Sequence, residues 1–462
     1  MFLGCSPGGL KIKHMHDLLK ERLNQAAAWS AIALGFSIPV STAASNFLFA
    51  LIVLFSLLAG DWKNKALIIA RNPAARAALG FLALVLLGCA WGSGDAQDKQ
   101  HYLVKYLSLL LLPLLIPLFG ERRMQARALA AFCAAMLMTL AISVLLWLNA
   151  LNWLPPAMLA KLTQAQDPLF PFTENAVVFK LSITHGFLMA LAAFLLLLAS
   201  REATSRRWRV LFGLCALLAA SNVLLMIIGR TGYVVLAVLG VYYLMAHLGR
   251  RQSSLVVLGG LVLVTAVLGF STTFQTRIHQ AYDEALMWQP GQGARTSIGL
   301  RFDYYTNAIA IIREHPVLGV GTGGFARAYE ERVRGSQVAP SNNPHNQYLL
   351  TTAQLGFPGL ILLLTLFVTW WKTAGALPEP LRHAARGILL AFLVGNHARF
   401  RGASLFRLGR WRVAGGQAAI GVIIVTLVID EATDVITPEP DTSSPDIPRC
   451  RISSLRARGR IA

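Results

Sequence analysis

Long apolar runs alternate with short polar connectors over most of the chain. Lipid offers the backbone no hydrogen-bonding partner, so a run that crosses about 30 Å of hydrocarbon must form a helix or a barrel strand. Continuous apolar runs of about fifteen or more residues favour helices. The sequence therefore predicts an all-α, polytopic membrane helix bundle of about eleven to twelve transmembrane helices. The predicted spans lie near residues 27–43, 46–60, 77–94, 102–119, 128–151, 176–199, 208–228, 231–247, 254–271, 348–371 and 386–396.

One long polar stretch, 272–347, interrupts this pattern between the ninth and tenth spans. Inside it, aromatic and aliphatic side chains recur at helical spacing until Pro316, which predicts a helix from Ser297 to Glu314. That helix would place Arg301 and Tyr304 on one side. The predicted organisation is an N-terminal segment 1–26, transmembrane helices one to nine in 27–271, a large and partly helical loop in 272–347, helix ten and the start of helix eleven in 348–396, and an atypical tail in 397–462.

The charge of the chain is carried largely by the connectors. The formal net charge is +20, yet 55% of the residues are hydrophobic and only 14% are charged, with a mean hydropathy of +0.55. Every even-numbered connector is basic, whereas the odd-numbered ones hold few or mixed charges. By the positive-inside rule the N-terminus is cytoplasmic and the loop 272–347 faces outward. Nucleic-acid binding is therefore a poor explanation of the basic composition.

The composition changes abruptly after Asn396. The basic stretch His397–Arg401 interrupts the eleventh apolar run, and the tail from Thr433 is rich in Pro, Ser, Asp and Arg. Two interpretations are open: a natural amphipathic segment with its tail, or a change of reading frame near Asn396.

His345 is the first candidate for chemistry, because it lies just before the tenth span. An imidazole with an ordinary pKa near 6.5 suits general-base catalysis at neutral pH, although an interfacial histidine can also be a polar anchor. No Cys or paired carboxylate lies at metal-ligand spacing from it, so we expect no metal site. The glycines near residue 320 lack the βαβ unit of a dinucleotide site and more plausibly allow a tight turn after Pro316.

Three arginines are candidates for binding a diphosphate. Arg230 lies between two spans at the outer membrane face, and Arg295 and Arg301 lie in the loop. A guanidinium binds a diphosphate through bidentate, charge-assisted hydrogen bonds, and a lipid diphosphate would reach this level of the membrane. Arg230 has the alternative of snorkelling to the interface. The secondary candidates are Lys180, His185, Tyr304 and Asn346.

The order of these features resembles the O-antigen ligase and polymerase superfamily of bacterial envelope glycosyltransferases. The resemblance implies about twelve transmembrane helices and a periplasmic active site in the inner membrane that needs no metal, nucleotide sugar or other cofactor. It also implies that His345 is the essential histidine and that Arg230 and Arg301, with Arg295 as a third candidate, bind phosphate. The matching motifs are Gly229-Arg230-Thr231-Gly232, Leu300-Arg301, Glu314-His315-Pro316, the glycine-rich run Gly319 to Phe325, and Pro344-His345-Asn346-Gln347-Tyr348.

The function implied by the resemblance is that of an O-antigen ligase. Such an enzyme transfers a glycan from undecaprenyl diphosphate to lipid A-core, so the expected partners are the lipid-linked glycan, the lipid A-core acceptor and membrane lipids, without nucleic acid. An O-antigen polymerase and a protein O-oligosaccharyltransferase share this donor chemistry and stay open as alternatives. A transporter of lipid-linked glycans is a further alternative of a different class.

Overall fold

The computed structural model describes residues 7–119, 122–151, 175–227, 230–249 and 297–395, with short stretches between 153 and 163 and between 251 and 292. In these regions the chain forms fourteen α-helices and no strands, which confirms the predicted all-α class. The helices are α1 (Pro7–Val40), α2 (Thr42–Leu58), α3 (Trp62–Arg71), α4 (Pro73–Gly88), α5 (Ala96–Leu107), α6 (Leu111–Leu115), α7 (Arg122–Trp147), α8 (Ser182–Glu202), α9 (Arg206–Ser221), α10 (Arg230–His247), α11 (Ser297–Glu314), α12 (Phe325–Val333), α13 (Gln347–Gly375) and α14 (Leu381–Gly395).

Five helical segments in the described regions are long and apolar enough to cross a membrane, as expected for a multi-pass membrane protein. A sixth exists if α2 and α3, which are bent by 118° at Gly60 and Asp61, form one span. Two shorter apolar helices, Pro73–Gly88 and Thr231–His247, also coincide with predicted spans. The five are Ala96–Leu118, Arg123–Trp147, Ser182–Glu202, Arg206–Met226 and Gln347–Gly375.

The described spans are fewer than the eleven or twelve expected, and helix ends explain part of the difference. The predicted span 77–94 corresponds to α4, which has 16 residues and ends at Gly88. The start of α4 is fixed by Asn72, whose Oδ1 accepts hydrogen bonds from the backbone N–H groups of Ala74 and Ala75 at 3.0 Å each. Most of the predicted span 254–271 and all of the tail 397–462 lie outside the described residues. The two interpretations of the sequence after Asn396 concern that tail.

Helix α8 lies at the centre of the bundle, since 72% of its span is buried. It packs against α9 and α10, while α1 packs against α2 and α7. Helix α13 packs against α4, α11 and α14. The chain thereby brings the polar loop, through α11, onto the first half of α13.

Helix α13 is broken at Gly356, which has φ of +64°, and Pro358 follows two residues later. Proline has no N–H, so the carbonyl of Gln354 loses its helical partner there. The loop supplies replacements: the N–H of Val320 donates to the carbonyl of Ala353 at 2.9 Å, and that of Gly321 donates to the carbonyl of Gln354 at 2.8 Å. The break and the glycine-rich turn therefore satisfy each other's backbone groups.

Candidate functional site

His345 lies in a tight turn directly before α13. Its φ is +55°, a left-handed conformation that is unfavourable by roughly 1–2 kcal/mol for a residue with a Cβ. The turn is held by Asn343, whose Oδ1 accepts a hydrogen bond from the N–H of His345 at 2.8 Å. Ser341 in turn accepts from the N–H of Asn343 at 3.3 Å and donates to its carbonyl at 2.9 Å. Strained backbone of this kind occurs at active sites when the surroundings enforce it, which favours a functional interpretation of His345.

The next residue, Asn346, caps α13. Its Oδ1 accepts hydrogen bonds from the N–H groups of Tyr348 at 2.9 Å and Leu349 at 3.2 Å. A cap of this kind stabilises a helix by about 1 kcal/mol. His345 is consequently fixed at the positive end of the α13 dipole, where negative charge is favoured.

Side chains of helix α5 form hydrogen bonds on both sides of this turn. The Oη of Tyr102 donates to the carbonyl of Asn342 at 2.7 Å, before the histidine. After it, Gln347 accepts a hydrogen bond from Nζ of Lys105 at 3.2 Å and donates to the Oη of Tyr106 at 2.8 Å. Lys105 was missed by the sequence analysis, although a lysine inside the apolar run 102–119 is a signal that could have found it.

Helix α11 brings Tyr304 against His345, with ring centroids 5.1 Å apart and an interplanar angle of 46°. Tyr304 also contacts Tyr329 of α12, at a centroid distance of 6.3 Å. Burial raises the pKa of Tyr329 well above its ordinary value, so this phenol stays neutral at physiological pH. Arg301 is half-buried one turn before Tyr304, so it lies on the same side of α11.

A buried carboxylate stabilises the same region of the loop. Asp303 of α11 is only 2% exposed, and its Oδ1 accepts a hydrogen bond from Nε1 of Trp288 at 2.8 Å. The Trp288 ring packs edge to face on Phe302, with centroids 5.4 Å apart. These contacts tie the segment before α11 to the helix that carries Arg301.

The glycine-rich run forms tight turns and docks onto the end of α4. Gly319, Gly321 and Gly323 have φ values of +65°, +78° and +81°. Thr322 donates from its N–H to the carbonyl of Gly88 at 2.9 Å and from its Oγ1 to the carbonyl of Val85 at 2.7 Å. The tight turn expected after Pro316 is present. Its backbone packs directly against the backbone of other segments.

Replacing Gly321 by alanine is expected to destabilise the protein by about 2–4 kcal/mol, through left-handed strain and overpacking together. A Cβ at this position would overlap the Cα of Gly92. Thermal unfolding in detergent measures the loss. Gly335→Ala is the matched control, because Gly335 has φ of +82° with nothing within 4 Å of an added Cβ, so it isolates the strain of about 1–2 kcal/mol. Equal losses for the two variants would show that close packing against Gly92 is unimportant.

The other predicted phosphate-binding residues are described in part. The backbone of Arg230 begins α10, but its side chain and all of Arg295 lie outside the described residues. Lys180 donates to Oγ1 of Thr42 at 2.8 Å, so its contact is at the start of α2. The structure therefore brings Arg301, Tyr304, His345 and Asn346 into one region and gives Lys180 a different neighbour.

His185 belongs to a buried polar network inside the bundle. It is 1% exposed, its Nδ1 accepts a hydrogen bond from the N–H of Val178 at 3.1 Å, and its Nε2 lies 3.3 Å from Oδ1 of Asn222. Asn222 opens a π-helical segment and donates to Oγ of Ser143 at 2.7 Å. These contacts join α7 and α8 to the π-helical segment that follows α9. Within the described residues, no group of three or more His, Cys, Asp or Glu side chains is arranged to hold a metal ion.

Comparison with known proteins covers the same part of the chain. Residues 214–364 match the family model Wzy_C, described as O-antigen ligase, and this segment runs from α9 into α13. A 99-residue stretch is 29% identical to an uncharacterized protein of Haemophilus influenzae, and this alignment covers 21% of the present chain. The chain spans about a quarter of the length of that curated relative. Residues 214–364, which contain Arg230, Arg301 and His345, therefore belong to the O-antigen ligase family.

Proposed function

We propose that the protein is an O-antigen ligase of lipopolysaccharide biosynthesis. It transfers a glycan from undecaprenyl diphosphate to lipid A-core at the periplasmic face of the bacterial inner membrane. The observation that carries the proposal is the strained His345 turn, which lies inside the segment that matches the family and against the helix that bears Arg301.

His345 acts as the general base. Its imidazole accepts the proton of an acceptor sugar hydroxyl as that oxygen forms a bond to the anomeric carbon of the donor glycan. The bond from the anomeric carbon to the diphosphate oxygen breaks, and undecaprenyl diphosphate leaves with the electron pair. Attack opposite to the leaving group inverts the anomeric configuration. The Tyr304 ring, which contacts His345, restrains the orientation of the imidazole.

Arg230 and Arg301 bind the diphosphate, with Arg295 as a third candidate. Negative charge develops on the leaving oxygen, and fixed guanidinium groups stabilise it more directly than a general acid would. The lipid diphosphate is already an activated donor, so the proposed reaction needs no nucleotide sugar and no cofactor. A lipid tail also delivers the donor to the membrane face where these residues lie.

Acceptor choice distinguishes this function from the related ones. Purified protein is given a labelled lipid-linked glycan together with lipid A-core, with a second lipid-linked glycan, or with a pilin-like polypeptide. A ligase labels lipid A-core. Extension of the second lipid-linked glycan would instead identify a polymerase, and label on polypeptide alone would identify a protein O-oligosaccharyltransferase. Movement of the donor across liposomes without a new glycosidic bond would identify a transporter.

A further inference from the structure

Lys105 is a buried cation in the last turn of α5. Only 6% of its surface is exposed, and it lies within a helix long and apolar enough to span a membrane. An ionisable side chain at such a place is unfavourable unless its surroundings stabilise it, and it marks a functional region by default. The proposed mechanism does not use this residue.

The contacts of Lys105 fix the direction of its ammonium group. Nζ lies 5.5 Å from the ring centroids of both Tyr102 and Tyr106, close enough for cation–π attraction of roughly 0.5–2 kcal/mol each. The same Nζ donates to Oε1 of Gln347 at 3.2 Å. Because the Gln347 amide also donates to Tyr106, its orientation is set from both ends.

The hydrogen bond between Lys105 and Gln347 is linked to the candidate active site by the backbone. Gln347 follows His345 by two residues, so the two Cα atoms are separated by at most about 7 Å. Tyr102 holds Asn342 on the other side of the turn. The left-handed conformation of His345 persists only if neighbouring groups enforce it, and α5 supplies contacts at both ends.

We propose that Lys105 is a positioning residue for His345 and acts through Gln347. The inference rests on the proposed function, because it assumes that His345 performs the chemical step. Loss of the Lys105 hydrogen bond removes one of the contacts that orient the Gln347 amide and loosens the start of α13. A displacement of about 1 Å in a reacting group lowers rates by as much as about 10²-fold. A residue that acts only on the base is expected to leave donor affinity unchanged.

The first test separates turnover from donor binding. Lys105→Met is expected to lower kcat for transfer about 10-fold, with Kd for undecaprenyl diphosphate within about twofold of wild type. Lys105→Arg keeps a charged donor and should recover part of the rate. Lys372→Met, at an exposed position in the last turn of α13, is the matched control and should behave as wild type. Loss of donor affinity in Lys105→Met would overturn the positioning role in favour of direct phosphate contact, and unchanged kcat would overturn any role.

A second test asks whether the residues act together. Gln347→Ala should lower kcat like Lys105→Met, and the double variant should lose little more than either single one. In a His345→Ala background, Lys105→Met should cause no further loss; independent, multiplicative losses would contradict the inference. If Lys105→Met does not fold, Gln347→Ala tests the same contact with the lysine intact. Absence of transfer by the wild-type protein to every acceptor would refute the proposed function, whereas normal transfer by these variants would refute only the role of Lys105.

Discussion

Replacing His345 by alanine is expected to lower the rate of glycan transfer by about 10²-fold or more while lipid-diphosphate binding stays close to normal. The variant removes the proposed base and leaves the arginines in place. It also removes the ring that contacts Tyr304, although the turn keeps its hydrogen bond from the backbone N–H at residue 345 to Asn343. Single-turnover transfer and equilibrium binding of undecaprenyl diphosphate, measured on the same preparation, separate the two effects.

His315→Ala is the matched control for this experiment. His315 is a second histidine of the same loop, it is exposed, and it follows the end of α11. We expect this variant to transfer glycan at the wild-type rate. If His345→Ala also transferred at a near-normal rate at neutral pH, the base assignment would be wrong and His345 would be an interfacial anchor.

Arg301→Ala is expected to weaken binding of the lipid diphosphate by about 10-fold or more and to reduce transfer at least as much. A hydrogen bond between a charged donor and a phosphate oxygen contributes about 1.5–3 kcal/mol, which corresponds to this range. Arg301→Lys keeps the charge but loses the bidentate geometry, so we expect only partial recovery. Arg230→Ala and Arg230→Lys should follow the same pattern. Titration with undecaprenyl diphosphate and the transfer assay report the two quantities.

Arg313→Ala provides the control on the same helix. Arg313 is exposed in the last turn of α11, whereas Arg301 is half-buried in the first half of that helix. Removal of Arg313 should leave donor binding unchanged, which excludes a general effect of the net charge of the loop. Donor binding by Arg301→Ala at the level of Arg313→Ala would contradict a phosphate-binding role for Arg301.

The sequence predicted those elements that are determined by residues close together in the chain. Helix α11 spans Ser297–Glu314 as expected, because apolar spacing and Pro316 both act within a few residues. His345 was selected because it precedes an apolar span, and the structure places it at the cap of α13. Neither step required knowledge of which helices are neighbours.

The sequence did not reveal the contacts that join distant segments. Lys105 and Gln347 are separated by 242 positions, and no local pattern pairs them. The glycine-rich run was expected to form a turn, but its fit against Gly92 depends on how α4 packs beside α13. The bend of 118° at Gly60 and Asp61 was also not predicted, since hydropathy does not report the direction of the chain.

The break at Gly356 has a consequence for the height of the chemistry above the bilayer. A continuous helix of the 29 residues of α13 would be about 43 Å long, whereas the hydrocarbon layer is about 30 Å thick. Residues 357–375 alone account for about 28 Å, so we expect the break to lie at the outer hydrocarbon boundary. Residues 347–356 would then lie outside the hydrocarbon layer, and His345 precedes them at the membrane surface. An acceptor hydroxyl must reach this surface, which favours a lipid whose sugars project outward from the membrane.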